Sequence, residues 1–254
     1  MANRYWVGGA GTWNTTSTTN WSTASGGGSG ASVPTAADSV FFDSGSGTPG
    51  NVTMTGALAC LDITTSVTGW SFITGTTPTL AVSGSMSLNT STTWTSTGTI
   101  TFNATTSKTV TTNGTSFSCS FTFNGVGGTW TLQDALTTSA GSTTPLTNGT
   151  LALGSYTLTT GIFLANNTNV RAINFGTGNI TLTSAATATI WNITTLGNLT
   201  LSGTPVVNVT GGGATTKTIN NGALAGKSDT ISFNLQNSAG TVAFTAANFI
   251  KSLT

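Results

Sequence analysis

Along most of the chain, apolar residues alternate with Thr, Ser or Asn in short runs, and some of these runs echo one another. Gly98-Thr-Ile-Thr-Phe-Asn103 is answered by Cys119-Ser-Phe-Thr-Phe-Asn124, and Gly178-Asn-Ile-Thr-Leu182 by Gly197-Asn-Leu-Thr-Leu201. Alternation with a period of two marks a strand with one buried face. Both echoes recur at an offset of about 20, which marks a stacked coil rather than a single closed core. The pattern therefore predicts an all-β fold, a parallel β-helix (β-solenoid). Strands are expected at 51–55, 59–64, 70–74, 79–82, 85–89, 92–95, 98–103, 108–112, 117–124 and 129–133. Further strands are expected at 150–153, 156–159, 170–175, 179–183, 189–194, 198–202, 205–209, 217–220, 229–235 and 240–244.

Asn-Gly pairs at 113, 124, 148 and 221 and the glycine clusters at 127–128 and 211–213 punctuate these runs. A lone Asn-Gly suggests a hairpin, and hairpins throughout would give an antiparallel sandwich. Stacked corners of a solenoid would use the same residues. Three features favour the solenoid: the recurring offset, Thr at most outward positions, and Asn closing several runs (Asn89, Asn103, Asn124, Asn234). Asn tolerates a left-handed corner and stacks with itself in hydrogen-bonded ladders. Asn89 and Asn103 stand too close together for a full coil, so coil length is not uniform. About ten coils spaced ~4.8 Å apart would make a rod of roughly 45–50 Å.

Residues 1–50 differ from residues 51–254. They carry Trp6, Trp13 and Trp21 among clustered glycines, and they lead through Val33-Pro34 into Asp38-Ser-Val-Phe-Phe-Asp43. We read them as an aromatic and glycine-rich N-terminal cap or anchor module, followed by solenoid coils over 51–254. A cap covers the open main-chain edge of a first coil. Helix is poorly supported, because glycine and β-branched residues interrupt every window. The Ala243–Lys251 segment has room for one or two turns at most.

Composition narrows the function more than it names it. Only 4% of residues are charged and the net charge is +1, against roughly 25% charged in an average soluble domain. There is no electrostatic footprint for nucleic acid or an anionic membrane. No stretch stays apolar over the roughly 18 residues that a membrane span needs. Met1 to Gly9 lacks the apolar core of a secretory signal. Cys60 and Cys119 form neither a disulfide framework nor a metal-ligand spacing. Both fall in strand-like runs, which suggests buried thiols; a bridge between them stays open for an oxidising compartment.

Candidate chemistry is sparse. There is no His and no Glu, so catalysis would have to come from Asp38, Asp43, Asp62, Asp134 and Asp229. Capping of turns is the simpler role for these residues. Asp38 and Asp43 fit no calcium-loop spacing, and neither glycine cluster, 8–11 or 26–30, both follows a strand and opens a helix. No catalytic, cofactor or metal residues are expected. The tryptophans are the sharpest candidates: Trp6, Trp13 and Trp21 as cap aromatics, and Trp70, Trp94, Trp130 and Trp191 in the coils. Exposed, they would stack on sugar rings. For the four coil tryptophans, alternation with Thr argues for burial.

The opening Tyr5-Trp-Val-Gly-Gly, Gly11-Thr-Trp13, Asn20-Trp-Ser22, Val33-Pro-Thr and Asp38-Ser-Val-Phe-Phe-Asp43 resembles a module at the start of repetitive β-helical proteins. These occur in tailed phages, especially marine ones, and in bacterial surface adhesins. The runs Lys108-Thr-Val-Thr-Thr-Asn-Gly114 and Asn174-Phe-Gly-Thr-Gly-Asn-Ile-Thr-Leu182 are similar to the coils of that family. The resemblance implies a phage virion structural protein, an oligomeric fibre or spike for attachment to the host surface. Flat lateral faces with so little charge would pack against copies of themselves, so a homo-oligomer is expected, with a trimer favoured, as well as contacts with other virion proteins and with host surface polysaccharide. The alternative is a bacterial cell-surface adhesin or a self-assembling extracellular filament. Members of the family tend to be longer, and Phe249 to Thr254 reads like the middle of a pattern, so a longer chain is expected.

Overall fold

The structure is a computed structural model describing residues 1–76, 78–236, 239–245 and 247–254. It is a parallel β-solenoid of three faces, with no α-helix among the described residues. Each coil visits the faces in turn, and strands pair with the equivalent strand one coil later. On face one the inward column runs Val40, Ile63, Met86, Val110, Leu132. On face two it runs Val52, Phe72, Trp94, Phe117, and on face three Leu58, Leu80, Ile100, Phe121. Face two holds eleven strands in strict chain order. Ten spacings of ~4.8 Å give a rod about 48 Å long.

Alternation builds each face. Inward residues are apolar and buried, and each buried Val, Leu, Ile or Phe contributes about 1.5–3 kcal/mol. Outward residues are mostly Thr, Ser or Asn, whose short polar side chains suit a pleated, half-exposed surface. Register is fixed because a one-residue slip would turn the apolar column to solvent. Two long strands, Phe121–Leu132 and Thr143–Ala152, bend continuously from face three into face one. Glycine permits the bend. A Cβ on Gly125 or Gly128 would lie 1.7 or 1.9 Å from the carbonyl oxygen of Ala104 in the coil before.

The first echo in the sequence is a true rung: Ile100 pairs with Phe121 and Phe102 with Phe123. The second is not. Asn179–Leu182 lies on face two and stacks on 206–209, whereas Leu199–Ser202 lies on face one and stacks on Arg171–Asn174. The two runs look alike because an inward–outward alternation reads the same on any face. Coil length also varies along the rod. One coil carries the register from Ile63 to Met86 early on, but from Ile173 as far as Leu201 later. The last step, from Phe233 to Leu253, is short again. Of the Ala243–Lys251 segment, Ala243 and Phe244 close the strand Thr241–Phe244, and Ala246 lies outside the described residues.

The opening residues stack as well. Ala2–Trp6 pairs in parallel with Asp38–Phe42, and Gly11–Trp13 with Asn51–Met54. Trp21–Ser22 lies antiparallel on Tyr5–Trp6 and covers the outer edge of face one. Inside, Trp6, Trp13 and Trp21 meet at ring distances of 5.0–5.3 Å and plug the end of the coil against Phe42.

Candidate functional site

All seven tryptophans are buried, none more than 2% exposed. Trp94 stacks on Phe72 at 4.4 Å, Trp130 packs against Phe102 and Phe123, and Trp191 stacks on Phe163 at 5.2 Å. The Trp6 indole donates to the Gly9 carbonyl at 2.6 Å, and the Trp191 indole donates to Asn221 Oδ1 at 3.0 Å. Rings held this way offer no face to a sugar. They form an aromatic interior, as the alternation of the four coil tryptophans with Thr had indicated.

The aspartates sit at corners. Asp38 accepts from the Thr35 N–H and hydroxyl at 3.0 and 2.7 Å and from the Ala2 N–H at 3.2 Å. Burial alone would raise its pKa, but these bonds and the nearby Arg4 outweigh that and hold it below the usual carboxylate value. Asp43 caps the turn Ser44–Ser46. Asp62 ties three coils together, accepting from the Ser39 hydroxyl in one and the Ser85 N–H in another, at 2.9 and 2.7 Å. Asp134 reaches back one coil to the N–H groups of Thr112 and Asn113. Asp229 is exposed in the turn Ser228–Thr230. Four of the five carboxylates are therefore engaged as corner acceptors. No group of three metal-ligating side chains stands together among the described residues.

The cysteines are free and buried. Cys60 and Cys119 lie three rungs apart, since the strands stack from 57–60 through 79–82 and 99–102 to Phe121. That is about 14 Å along the axis, beyond the ~4.4–6.8 Å a disulfide spans between Cα atoms. No bridge forms within one chain. Burial, with the Asp62 carboxylate adding to it, pushes the Cys60 thiol far up, and burial pushes Cys119 up to about 12. Both thiols are expected to resist an aromatic disulfide reagent at mildly alkaline pH in the native protein and to react fully in denaturant. Fast native labelling would contradict this burial.

Three cations take up positions that the alternation did not single out. Arg171 and Lys217 are buried, 1% and 0% exposed, and Lys227 is half-buried. All three bond to main-chain carbonyls rather than carboxylates. Lys227 Nζ donates to the carbonyls of Leu196, Gly197 and Leu199 at 2.7–3.1 Å. The signal was present: Arg171 and Lys217 each stand two residues before an inward Ile, at Ile173 and Ile219.

What remains at the surface is a polar column. On face two the outward positions run Asn51, Ser71, Thr93, then Ser116, Thr137, Thr159, Thr181, Asn208, Asn234. Asn234 Nδ2 donates to Asn208 Oδ1 at 2.9 Å, and Asn208 Nδ2 donates to Asn179 Oδ1 at 3.1 Å. The column carries no charge and repeats every ~4.8 Å. Such a surface can hydrogen-bond a flat partner along its length. No family model, curated protein or solved structure matches the chain.

Proposed function

We propose that the protein is a non-catalytic structural component of a phage particle, an oligomeric β-helical fibre or spike that attaches to the host surface. The observation that carries this reading is the uncharged Ser/Thr/Asn column on face two, set on a core filled with aromatic and aliphatic side chains. A rod stiffened by main-chain ladders transmits force along its axis. A flat, neutral, hydroxyl-bearing face favours copies of itself or a polysaccharide, whose hydroxyls it can pair without desolvating a charge. The engaged aspartates and the lack of His support a mechanical role over a chemical one. The opening module's resemblance to phage β-helical proteins supplies the setting.

Sedimentation at micromolar concentration is expected to give a trimer, and Thr137→Lys with Thr159→Lys is expected to dissociate it. Mass spectrometry of purified particles should find the chain among the virion proteins. A monomer at every concentration, together with absence from the particle, overturns the proposal.

A further inference from the structure

Face three begins one rung late. Its first strand, Ala57–Cys60, pairs with Thr79–Val82 on one side only. The hydrogen bonds show which groups face the open side. The carbonyls of Gly56 and Cys60 accept from Thr79 and Ser83 in the later coil. The N–H groups of Thr55 and Leu61 point the other way, to the carbonyls of Trp13 and Asp38. Main-chain groups alternate sides along a strand, so the N–H and C=O of Ala57 and of Ala59 also point to the earlier side. Among the described residues they meet no main-chain partner there.

The segment that passes this gap, 33–36, does not fill it. It is curled by Asp38, which takes the Thr35 N–H and hydroxyl. Asp38 N–H in turn donates to the Thr35 carbonyl, and Pro34 has no N–H to give. A groove of about 280 Å³ is left between this turn and the strand edge, walled by Trp13, Val33, Pro34, Ala36, Ala57 and Leu58.

We infer that this groove takes an extended, uncharged segment of a partner protein, which adds a strand beneath Ala57–Cys60 and completes the rung. Four unpaired main-chain groups in a row are matched by another extended main chain. The bonds at Thr55 and Leu61 bracket the opening, and the roughly five residues between them span about 16 Å, so the added strand is about five residues long. The walls select against charge. The one carboxylate beside them, Asp38, is already engaged, and Arg4 is turned to Ser32, donating to its carbonyl at 2.9 Å. This inference does not depend on the virion reading, since it follows from the edge alone.

Residue-resolved amide exchange of the full chain tests it, with acetyl-Thr-Leu-Ala-Val-Ser-amide as probe, a copy of the strand that stacks on Ala57–Cys60. In the free protein the Ala57 and Ala59 amides should exchange at least about a hundredfold faster than those of Leu58 and Cys60. Millimolar probe should slow Ala57 and Ala59 about tenfold or more and leave distant edges unchanged. Ala59→Pro removes no native bond and fills the edge, so it should keep the thermal midpoint and abolish that slowing. Equal protection of all four amides in the free protein would mean the slot is already filled, and would overturn the inference. So would an absence of slowing at millimolar probe. Protection that rises with protein concentration alone would assign the slot to a second copy and overturn the partner reading.

Discussion

Replacing Phe102 with alanine is expected to destabilise the protein by about 3–5 kcal/mol, the range for truncating a buried aromatic. Phe102 is fully buried in the column Cys60, Val82, Phe102, Phe123. Its ring lies nearly parallel to Phe123 at 5.2 Å, near-parallel to Phe121 at 5.6 Å, and 6.1 Å from Trp130. The coils above and below are held apart by their own ladders, so the cavity cannot collapse without breaking main-chain bonds. In a solenoid each coil contacts mainly its neighbours, so a weakened rung in mid-rod divides one cooperative unit into two. The expected denaturation curve for Phe102→Ala is therefore shifted to lower urea and split, whereas the unaltered protein should unfold in one step. Trp130→Phe is the contrasting variant. The Trp130 indole N–H is buried without a hydrogen-bond partner, so phenylalanine removes an unpaired donor and a little volume together. It should cost under about 1.5 kcal/mol. A large loss in Trp130→Phe with little in Phe102→Ala would contradict this packing.

The core was legible because inward positions repeat in text as well as in space. Ile100 with Phe121 and Phe102 with Phe123 could be paired by eye. The 178–182 and 197–201 runs could not be placed, because the face a strand occupies depends on corner lengths, and corners follow no period-two rule. The strand Thr143–Ala152 is expected from the sequence only from 150 on, because Asn148-Gly149 reads as a turn. In the structure Pro145 stays in register with Leu164, and Gly149, at φ 77, makes the bend between faces. Asn closing a run proved a partial guide. Asn124 accepts from Asn148 Nδ2 at 2.8 Å and Asn234 from Thr254, but Asn89 donates to the Ser66 carbonyl instead. As for the surface, its chemistry is written in the outward positions as Thr, Ser and Asn without charge. Nothing in that text reveals the open edge at Ala57 and Ala59, which exists because residues 14–37 leave the stack just where a strand of face three would lie.

The longer coils near the C-terminal end raise a different problem, and Arg171 answers it. Where the coil lengthens, the corner segments 165–170 and 193–198 no longer pair strand to strand throughout. Their inward carbonyls would be left without donors, each at about 1–3 kcal/mol. Arg171 supplies the donors from inside. Its Nε donates to the Ala165 carbonyl at 2.9 Å and Nη1 to that of Asn169 at 2.9 Å, while Nη2 reaches both Ala165 and Thr195. Desolvation lowers its pKa, but an arginine starts so far above neutrality that it stays charged, and dipoles of several carbonyls stand in for a counter-ion. Arg171→Met keeps most of the volume and removes every donor, so it should cost about 3–5 kcal/mol. Arg171→Lys keeps the charge but not the planar fork that spans two corners, and should recover less than half of that. The damage should be local. Amides at 165–171 and 193–199 should lose protection first, while those of the first four coils keep theirs. A Met variant as stable as the unaltered protein would mean that these corners are held without the guanidinium.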